Sequence, residues 1–468
     1  MVWLVVSGLV AGLGWGAVGC LNNLPAEEAR PISAEEAGRL AQIRATGVEA
    51  GTVAVRLDLP ESMGDTGLEG YIDLSAPIVH AVTGDGSETT GLVQAIPGLI
   101  ASNVNGAEAD PTQAPETGWT VRRMQASEDP DADPTQAVID IMLSAILALG
   151  TIGNVDTNFL EDQGVWLEEA IVDGATVDVI RAPLLLQADT GGEGEQATTS
   201  PDAMFWVDRD SRLRRLQVDP AGTGLATVDL LLDQPQAAAI EPVDVLGGAM
   251  VDPRDLTDEE ASRLAGLRYA NSQRAAEVEL ALPVADDAVL TARGWVDWRS
   301  AVVYLAVDAP GEDNDGLLFV LPSGAATLTT PVDGPPPQTP PQEGWTAQRW
   351  GDRVDSGEAG DIDTMLYKLL AMAALEPDSV DQVTETGAWL REDTVDDATV
   401  DVVEFGGAGE AETDPGTASF RYWLDRDEPL LHRIQLRTNG FGFGRLDLTS
   451  AEPPVINIPY GIVTALAG

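Results

Sequence analysis

Basic residues and cysteine are scarce in this 468-residue chain. It has 26 Lys and Arg residues against 77 Asp and Glu residues, and its net charge is −51. Lys368 is the sole lysine, and Cys20 is the sole cysteine. So acidic a surface repels nucleic acid and anionic headgroups, which excludes DNA binding, RNA binding and membrane docking through a basic patch. Because a single cysteine cannot form an internal disulfide, the chain must be stabilised by its hydrophobic cores.

Motifs for catalysis and metal binding are also missing from the sequence. The sequence has two histidines, His80 and His432. It contains no Gly-x-Ser-x-Gly motif and no cluster of histidines of the kind that binds a metal. The acidic segments 129–133 and 312–316 lack the later bidentate Glu of a calcium loop. We therefore predict no catalytic residue, no metal and no cofactor, and we expect that the protein is not an enzyme. Of three hypotheses about function, a hydrolase with an unrecognised nucleophile is the one that the sequence favours least.

The amino-terminal segment has the pattern of an export signal. An apolar run from Val2 to Gly19 ends at Cys20, and it is short and glycine-rich for a spanning helix. The sequence Ala17-Val18-Gly19-Cys20 resembles the lipobox of bacterial lipoproteins, in which the cysteine is acylated and becomes the first mature residue. The alternative is a small buried thiol within an amino-terminal anchor helix. Both interpretations place the remainder of the chain outside the cytoplasm.

Two halves of the chain carry the same motifs in the same order. Trp206-Val207-Asp208-Arg209-Asp210 returns as Trp423-Leu424-Asp425-Arg426-Asp427. The capping box Ser33-Ala34-Glu35-Glu36 returns as Thr257-Asp258-Glu259-Glu260. We predict a duplication with these boundaries: signal peptide 1–19, tether 20–31, first domain 32–246, linker 247–256 and second domain 257–468.

Each half is predicted to contain a capped helix, several alternating strands, one strongly apolar helix and further strands. The capped helices are expected to end near Arg44 and Arg268, and the apolar helices cover residues 135–149 and 362–375. Strands of period two with one apolar face are typical of half-buried antiparallel sheets. The fold class is therefore α+β, with helices against one face of an antiparallel sheet in each of two tandem repeats.

The apolar helices can be interpreted in two ways. They either cover a sheet as ordinary core helices or line a cavity for an acyl chain. At about 15 residues, neither is long enough to span a bilayer. The candidate cavity residues share helical spacing on one side: Ile139, Leu143, Ile146, Leu147, Met365, Leu366, Leu369 and Met372.

The order of these elements resembles a family of actinobacterial lipoproteins. The resemblance rests on the hairpin sequence Asp173-Gly174-Ala175-Thr176-Val177-Asp178-Val179, the Trp206 to Asp210 strand and turn, and the ending Ile240-Glu241-Pro242. These features are similar to those of the LppX/LprA/LprF/LprG lipoproteins, which are related in fold to the LolA/LolB carriers. The resemblance implies a curved antiparallel half-barrel in each repeat, with helices on its concave face. It also implies an apolar cavity that holds lipid chains in transit through the envelope.

Two main hypotheses about function follow. The first is a cell-envelope lipoprotein that binds lipid or an acylated ligand and is anchored to the outer face of the cell membrane through acylated Cys20. The second is an extracytoplasmic sensor or adaptor lipoprotein that binds a protein partner, and it predicts dry, filled cores.

Overall fold

The structure is a computed structural model of the chain. It describes residues 29–63, 67–84, 89–104, 114–115, 117–124, 134–150, 157–184, 202–219, 224–234, 239–311, 315–331, 334–356, 360–405, 416–438 and 440–467. The predicted signal peptide, Cys20 and most of the predicted tether lie outside these residues. Among the described residues, no helix is long and apolar enough to cross a membrane.

The amino-terminal part of the chain contains twelve strands and three helices. In chain order these are β1 (Arg30–Pro31), α1 (Ala34–Ala50), β2 (Thr52–Asp58), β3 (Gly67–Asp73), β4 (Ile78–Gly84), β5 (Thr89–Ile96), β6 (Leu99–Asn103), β7 (Thr120–Arg123), α2 (Pro134–Ala148), α3 (Thr157–Gln163), β8 (Val165–Val172), β9 (Ala175–Pro183), β10 (Asp202–Asp208), β11 (Leu213–Val218) and β12 (Ala226–Leu231). Short 3-10 helices cover Glu61–Met63 and Asp244–Leu246.

The carboxy-terminal part again contains twelve strands, now with five helices. These are β13 (Arg254–Asp255), α4 (Asp258–Asn271), β14 (Ala275–Ala285), β15 (Ala288–Asp297), β16 (Val302–Asp308), β17 (Gly316–Leu321), β18 (Gly324–Thr329), β19 (Thr346–Arg349), α5 (Trp350–Ser356), α6 (Asp361–Ala371), α7 (Val380–Thr386), β20 (Gly387–Val395), β21 (Ala398–Phe405), β22 (Phe420–Asp425), β23 (Leu431–Arg437), β24 (Phe443–Ser450) and α8 (Tyr460–Ala467).

The chain divides into two compact units. The first comprises residues up to Thr89 and from Gln125 to Ile240, and the second comprises Thr90–Met124 and Glu241–Gly468. In the first unit the strands follow the order β1-β8-β9-β10-β11-β12-β2-β3-β4, and the pairs between them are antiparallel. Helices α1, α2 and α3 belong to this unit. The predicted domain boundary near residue 246 stays a prediction.

The second unit contains one sheet in the order β13-β20-β21-β22-β23-β24-β14-β15-β16-β17-β18-β19. Its first nine strands follow the same order as the nine strands of the first unit. It also contains the antiparallel strands β5, β6 and β7. The turn between β14 and β15 docks on β7, because the amide of Asp287 donates to Val121 O at 3.0 Å and the amide of Arg123 donates to Asp286 Oδ1 at 3.0 Å. The predicted α+β class, with antiparallel sheets and packed helices, is confirmed.

The predicted turns form because their residues tolerate unusual backbone angles. Asp173 and Gly174 join β8 to β9 with φ values of 47° and 79°, and Asp396 and Asp397 join β20 to β21 with 48° and 66°. Two successive positive φ angles are the requirement of a type I′ hairpin turn, and Gly and Asp meet it at low cost. Local sequence therefore fixes the register of these hairpins in both units.

Both capping boxes are present at the starts of the first helices. Glu36 accepts from the Ser33 amide at 2.8 Å, and Glu260 accepts from the Thr257 amide at the same distance. An arginine completes each box, since Arg30 binds Glu36 and Arg254 binds Glu260 through paired hydrogen bonds. These contacts fix where each helix begins relative to its own short edge strand.

The helix ends differ from the sequence expectation. Helix α1 continues past Arg44 to Ala50, and α4 continues past Arg268 to Asn271. Helix α6 ends at Ala371, before the expected residue 375, because the chain there turns back toward α4. The amide of Ala374 donates to Arg268 O at 2.9 Å. Tertiary packing thus sets the end of α6, whereas α1 ends at a local signal, the C-cap glycine Gly51 with a φ of 67°.

Candidate functional site

The predicted cavity residues of α2 and α6 lie mostly in the hydrophobic interior. In α2, Leu143, Ile146 and Leu147 are buried and Ile139 is half-buried. In α6 and just after it, the buried residues are Met365, Leu366, Leu369 and Met372, which join one core cluster with residues of α4 and α7. None of the eight lines the two cavities described next. Their role as cavity wall therefore stays a prediction.

A cavity of the first unit lies where α1, the end of α2, α3, β9 and β10 meet. The described residues of its wall are apolar apart from Arg44. Other residues of the wall are Leu40, Ile43, Ala145, Ala148, Leu160 and Phe205. Its volume is about 40 Å³. This is enough for a few water molecules but well below the roughly 300–1,000 Å³ of ordinary ligand pockets.

A second cavity of the first unit lies on the other side of a two-residue partition. It has a volume of about 10 Å³, and its wall includes Gly47, Leu74 and Leu213. Ile43 and Leu149 line both cavities. Thr46 and Arg212 also line the second cavity, so its wall is partly polar. Sequence reasoning singled out Ile139, Leu143, Ile146 and Leu147 of α2, whereas Ala145, Ala148 and the following Leu149 line the cavities.

Arg44 is the charged group of the larger cavity. It lies on α1, one turn after Leu40, so that both side chains face the same side of the helix. Burial lowers the pKa of the Arg44 guanidinium, because a charge is penalised where water is excluded. The group nevertheless remains protonated at neutral pH, since the ordinary pKa of arginine exceeds 12.

The matched junction of the second unit is closed by hydrogen bonds. Arg268 lies 11 positions after its N-cap Thr257, as Arg44 does after Ser33. Its Nε donates to Ala371 O at 2.9 Å, and its Nη1 donates to Asp378 Oδ1 at 2.9 Å. One turn later, Asn271 Nδ2 donates to Met372 O at 2.9 Å. These three bonds tie α4 to the end of α6 and to the segment before α7.

The residue of α1 that matches Asn271 is Gly47, 14 positions after the N-cap in each case. Glycine has no side chain with which to reach α2. A Cβ placed at Gly47 would lie 3.8 Å from Leu149 O and 3.2 Å from Leu74 Cδ1. The first unit therefore lacks a side-chain bond from this position, and one of its cavities lies here.

A repeated clamp holds the first helix of each unit on its sheet. In the first unit, Asp178 accepts from Trp166 Nε1 at 2.9 Å and from Arg39. In the second, Asp401 accepts from Trp389 Nε1 at 3.0 Å and from Arg263. Because the clamp is the same in both units, it does not account for the difference between Gly47 and Asn271 at the two helix junctions.

The Asp-Arg-Asp motifs are structural turns. Asp208 Oδ1 accepts from the amides of Asp210 at 3.0 Å and Arg212 at 2.9 Å. Asp425 Oδ1 accepts in the same way from the amides of Asp427 at 2.8 Å and Glu428 at 3.1 Å. The first carboxylate of each motif is therefore used to organise its turn.

The histidines are separate from the cavities. His80 is buried in β4, its pKa is lowered by burial, and neither ring nitrogen has a hydrogen-bond partner within the described part of the chain. His432 lies on β23 with its Nε2 3.3 Å from Asp425 Oδ2. Among the described residues, no three His, Cys, Asp or Glu side chains are grouped so that they could hold a metal ion.

No protein-family model and no curated protein matches the chain. Solved structures that it resembles include lipoprotein LppX from Mycobacterium tuberculosis, at 12% identity and a TM-score of 0.25, over 44% of this chain and 96% of that one. A LolA-superfamily protein from Nitrosomonas europaea matches at 10% identity and a TM-score of 0.20, over 44% of this chain and 97% of that one. The MucA/MucB complex of Pseudomonas aeruginosa matches at 10% identity and a TM-score of 0.20, over 93% of this chain and 96% of that one.

The expected similarity to LppX and LolA-superfamily structures is thus found at low identity. With identities of 10–12% and TM-scores of 0.25 or less, we argue the function of the chain from its own residues and cavities.

Proposed function

We propose that this protein is a cell-envelope lipoprotein that binds or carries lipid within its first unit. The proposal includes an acylated Cys20 that anchors the chain to the outer face of the cell membrane, two tandem half-barrel repeats derived by duplication, and no enzymatic activity. The observation that carries it is the largely apolar cavity lined by Leu40, Ala145 and Leu160, which a two-residue partition separates from a second, smaller cavity.

The cavity corresponds to the closed state of the proposed lipid site. At about 40 Å³ it cannot hold an acyl chain as it stands, so binding requires Ile43 and Leu149 to move aside. The partition is small, and Leu149 is the second residue after the buried Leu147, just past the end of α2. Helix ends are elements that open at low free-energy cost compared with core strands.

The first experiment is native mass spectrometry of the full chain released from detergent, followed by organic extraction. We expect one lipid per chain. Leu149→Trp should fill the partition region and lower lipid occupancy, whereas Leu149→Ala should join the two cavities and preserve or raise it. Ala45→Trp is the matched control, because Ala45 lies on the exposed side of α1 beside Arg44.

If the folded chain carries no lipid, takes up none and is indifferent to both Leu149 variants, the lipid-binding proposal is wrong. The second candidate function would then apply, namely an envelope sensor or adaptor that binds a protein. The hydrogen-bonded junction of α4 and α6 in the second unit, with its cluster of buried apolar side chains, favours that function.

A further inference from the structure

Helix α8 of the second unit is apolar but only half covered. It contains no charged residue, and neither does the stretch 453–468 around it, although 22% of the chain is charged. Ile462 and Leu466 are buried, whereas Tyr460 is 80% exposed and Val463 is 45% exposed. The hydroxyl of Thr464 donates within the helix, to Tyr460 O. A helix that is apolar all round is normally covered all round, so the outer face of α8, defined by Tyr460 and Val463, lacks a cover within the described part of the chain.

The sheet fixes the inner face of α8 in place. The rings of Tyr304 and Phe319 stack with centroids 4.4 Å apart, and Phe319 meets the edge of Trp345 at 5.0 Å. The buried side of α8 packs into the same cluster. This cluster lies on the opposite face of the sheet from α4 and α6, because Tyr304 of β16 points into it while the flanking Val303 and Leu305 join the core of those helices. The outer face of α8 is therefore a fixed apolar ridge on that side of the sheet.

An arginine emerges beside this ridge. Arg349 of β19 lies directly opposite Gly324 of β18, so both residues point to the same face of the sheet. That face carries α8, because a Cβ placed on Gly324 would lie 2.8 Å from Leu466 Cδ2. Arg349 is half-buried and forms no ion pair with any described residue, although the chain has 77 acidic residues against 26 basic ones. Its guanidinium can therefore donate to a phosphate group outside the protein.

We propose that the outer face of α8 docks on the surface of a phospholipid bilayer, with Tyr460 and Val463 among the upper acyl chains and Arg349 on a lipid phosphate. Apolar side chains with a tyrosine among them are typical of segments that lie in the membrane interface. Two side chains of at most about 250 Å² each fall short of the roughly 800 Å² that each partner buries in a stable protein complex. The inference rests on the proposed function in one respect, because an acylated Cys20 would bring α8 to the membrane.

The charge of the chain favours docking at this place. A net charge of −51 repels the anionic headgroups of a membrane, and an uncharged stretch can approach them without this repulsion. The matched stretch after β12 is different, because it carries Glu241 and Asp244. Asp244 is engaged within the protein, where it accepts from Arg433 Nη1 at 3.3 Å and from Arg445 Nη1 at 2.7 Å. The proposed docking surface is therefore assigned to the stretch around α8 and not to its counterpart.

The test uses the full chain reconstituted into phosphatidylcholine vesicles. A polarity-sensitive thiol dye is attached to the Val463→Cys variant. Val284→Cys is the matched control, since Val284 is a valine of similar exposure, 38%, on β14. Lipids brominated on the upper acyl chain should quench the dye at position 463, because an interfacial helix reaches about 5–10 Å into the boundary of headgroups and acyl chains. The dye at position 284 should keep its fluorescence, and the unsubstituted chain is the blank, because an acylated Cys20 does not react.

Two further changes test the residues that the proposal uses. Tyr460→Ser should reduce quenching at position 463. Arg349→Gln should lower the ratio of docked to undocked helix about fivefold, the contribution of one basic residue near a membrane surface. Arg349→Lys should restore most of it, since an ammonium also binds phosphate.

The outcomes separate the docking surface from the lipid anchor. If the chain floats with the vesicles while the dye at position 463 stays in water, docking through α8 is wrong and the anchor at Cys20 is intact. Blue-shifted emission that brominated lipid does not quench would also overturn the proposal, because a second copy or another protein would then cover the helix. If the chain does not float and Cys20 takes up the dye, both the docking and the proposed anchor are wrong.

Discussion

The junctions of α1 with α2 and of α4 with α6 differ at the matched positions of Gly47 and Asn271. In α1, Arg44 and Gly47 line cavities. In α4, Arg268 and Asn271 donate hydrogen bonds to carbonyls at the end of α6. Helix α2 is more apolar than α6, which carries Asp361, Asp363 and Lys368, so apolar content alone does not decide whether a junction closes. A few polar side chains that capture free helix carbonyls decide it, because buried carbonyls need partners and those bonds fix the distance between helices.

The largest expected effect comes from removing the hydrogen bond between Asn271 and Met372 O, which joins α4 to the end of α6 in the second unit. Asn271 is fully buried, and Asn271→Gly deletes its bond to Met372 O, leaves that carbonyl without a side-chain donor and weakens the end of α4. We expect a loss of about 2 kcal/mol in local stability. Amide hydrogen exchange in α6 should accelerate by about 30-fold, as that free energy implies.

Two further measurements sharpen this prediction. Gln273→Gly is the control, since Gln273 is exposed and follows the helix end. If the Asn271 hydrogen bond alone makes the second junction different from the first, the number of lipids bound to the Asn271→Gly variant should rise toward two per chain. Unchanged amide exchange in α6 would show that apolar packing holds this junction together without the Asn271 hydrogen bond.

The converse substitution, at Gly47, should close the junction of α1 and α2 in the first unit, and its effect on stability should be smaller. Gly47→Asn places an amide near Leu149 O and removes a glycine from the interior of α1, which should stabilise the helix by less than about 1 kcal/mol. We expect lower lipid occupancy in native mass spectrometry, because Asn fills the space and ties α1 to α2. Gly38→Asn is the control on the same helix, since a Cβ at Gly38 meets nothing within 4 Å. Full occupancy with Gly47→Asn would contradict the role that we give to this position.

Much of the fold follows from sequence because its signals are local. The capping boxes at Ser33 and Thr257, the Asp173-Gly174 turn and the alternating strands each depend on residues a few positions apart. Such short-range patterns determine hydrogen bonds directly, and they predicted the antiparallel sheets and the positions of the first helices.

The site was less accessible from sequence because it depends on pairs of distant residues. Helical spacing indicated the side of α2 that contains Leu143 and Ile146, and this side is buried. The cavity, however, lies at the end of the helix, near Leu149. Gly47, which has no side chain, lines the second, smaller cavity. A comparison of the two halves at that position could have revealed the difference, since Asn271 stands there in place of the glycine.

A pair of matched substitutions at the starts of α1 and α4 tests where the two units should agree. Hydrogen bonds from Arg30 and Arg254 hold the pKa values of Glu36 and Glu260 at about 2 each. A carboxylate whose pKa is lowered on folding contributes stability above its ordinary pKa of about 4.5, and this contribution is lost as the pH falls toward 2. Glu36→Gln and Glu260→Gln should therefore each cost about 1 kcal/mol at pH 7, the usual contribution of a helix cap. In thermal unfolding, the difference from wild type should shrink for both variants between pH 4.5 and pH 2. Equal losses of stability would mean that the first helices begin in the same way in both units and that the units differ at the ends of α2 and α6. A larger loss for one variant would mean that the units already differ where their first helices begin.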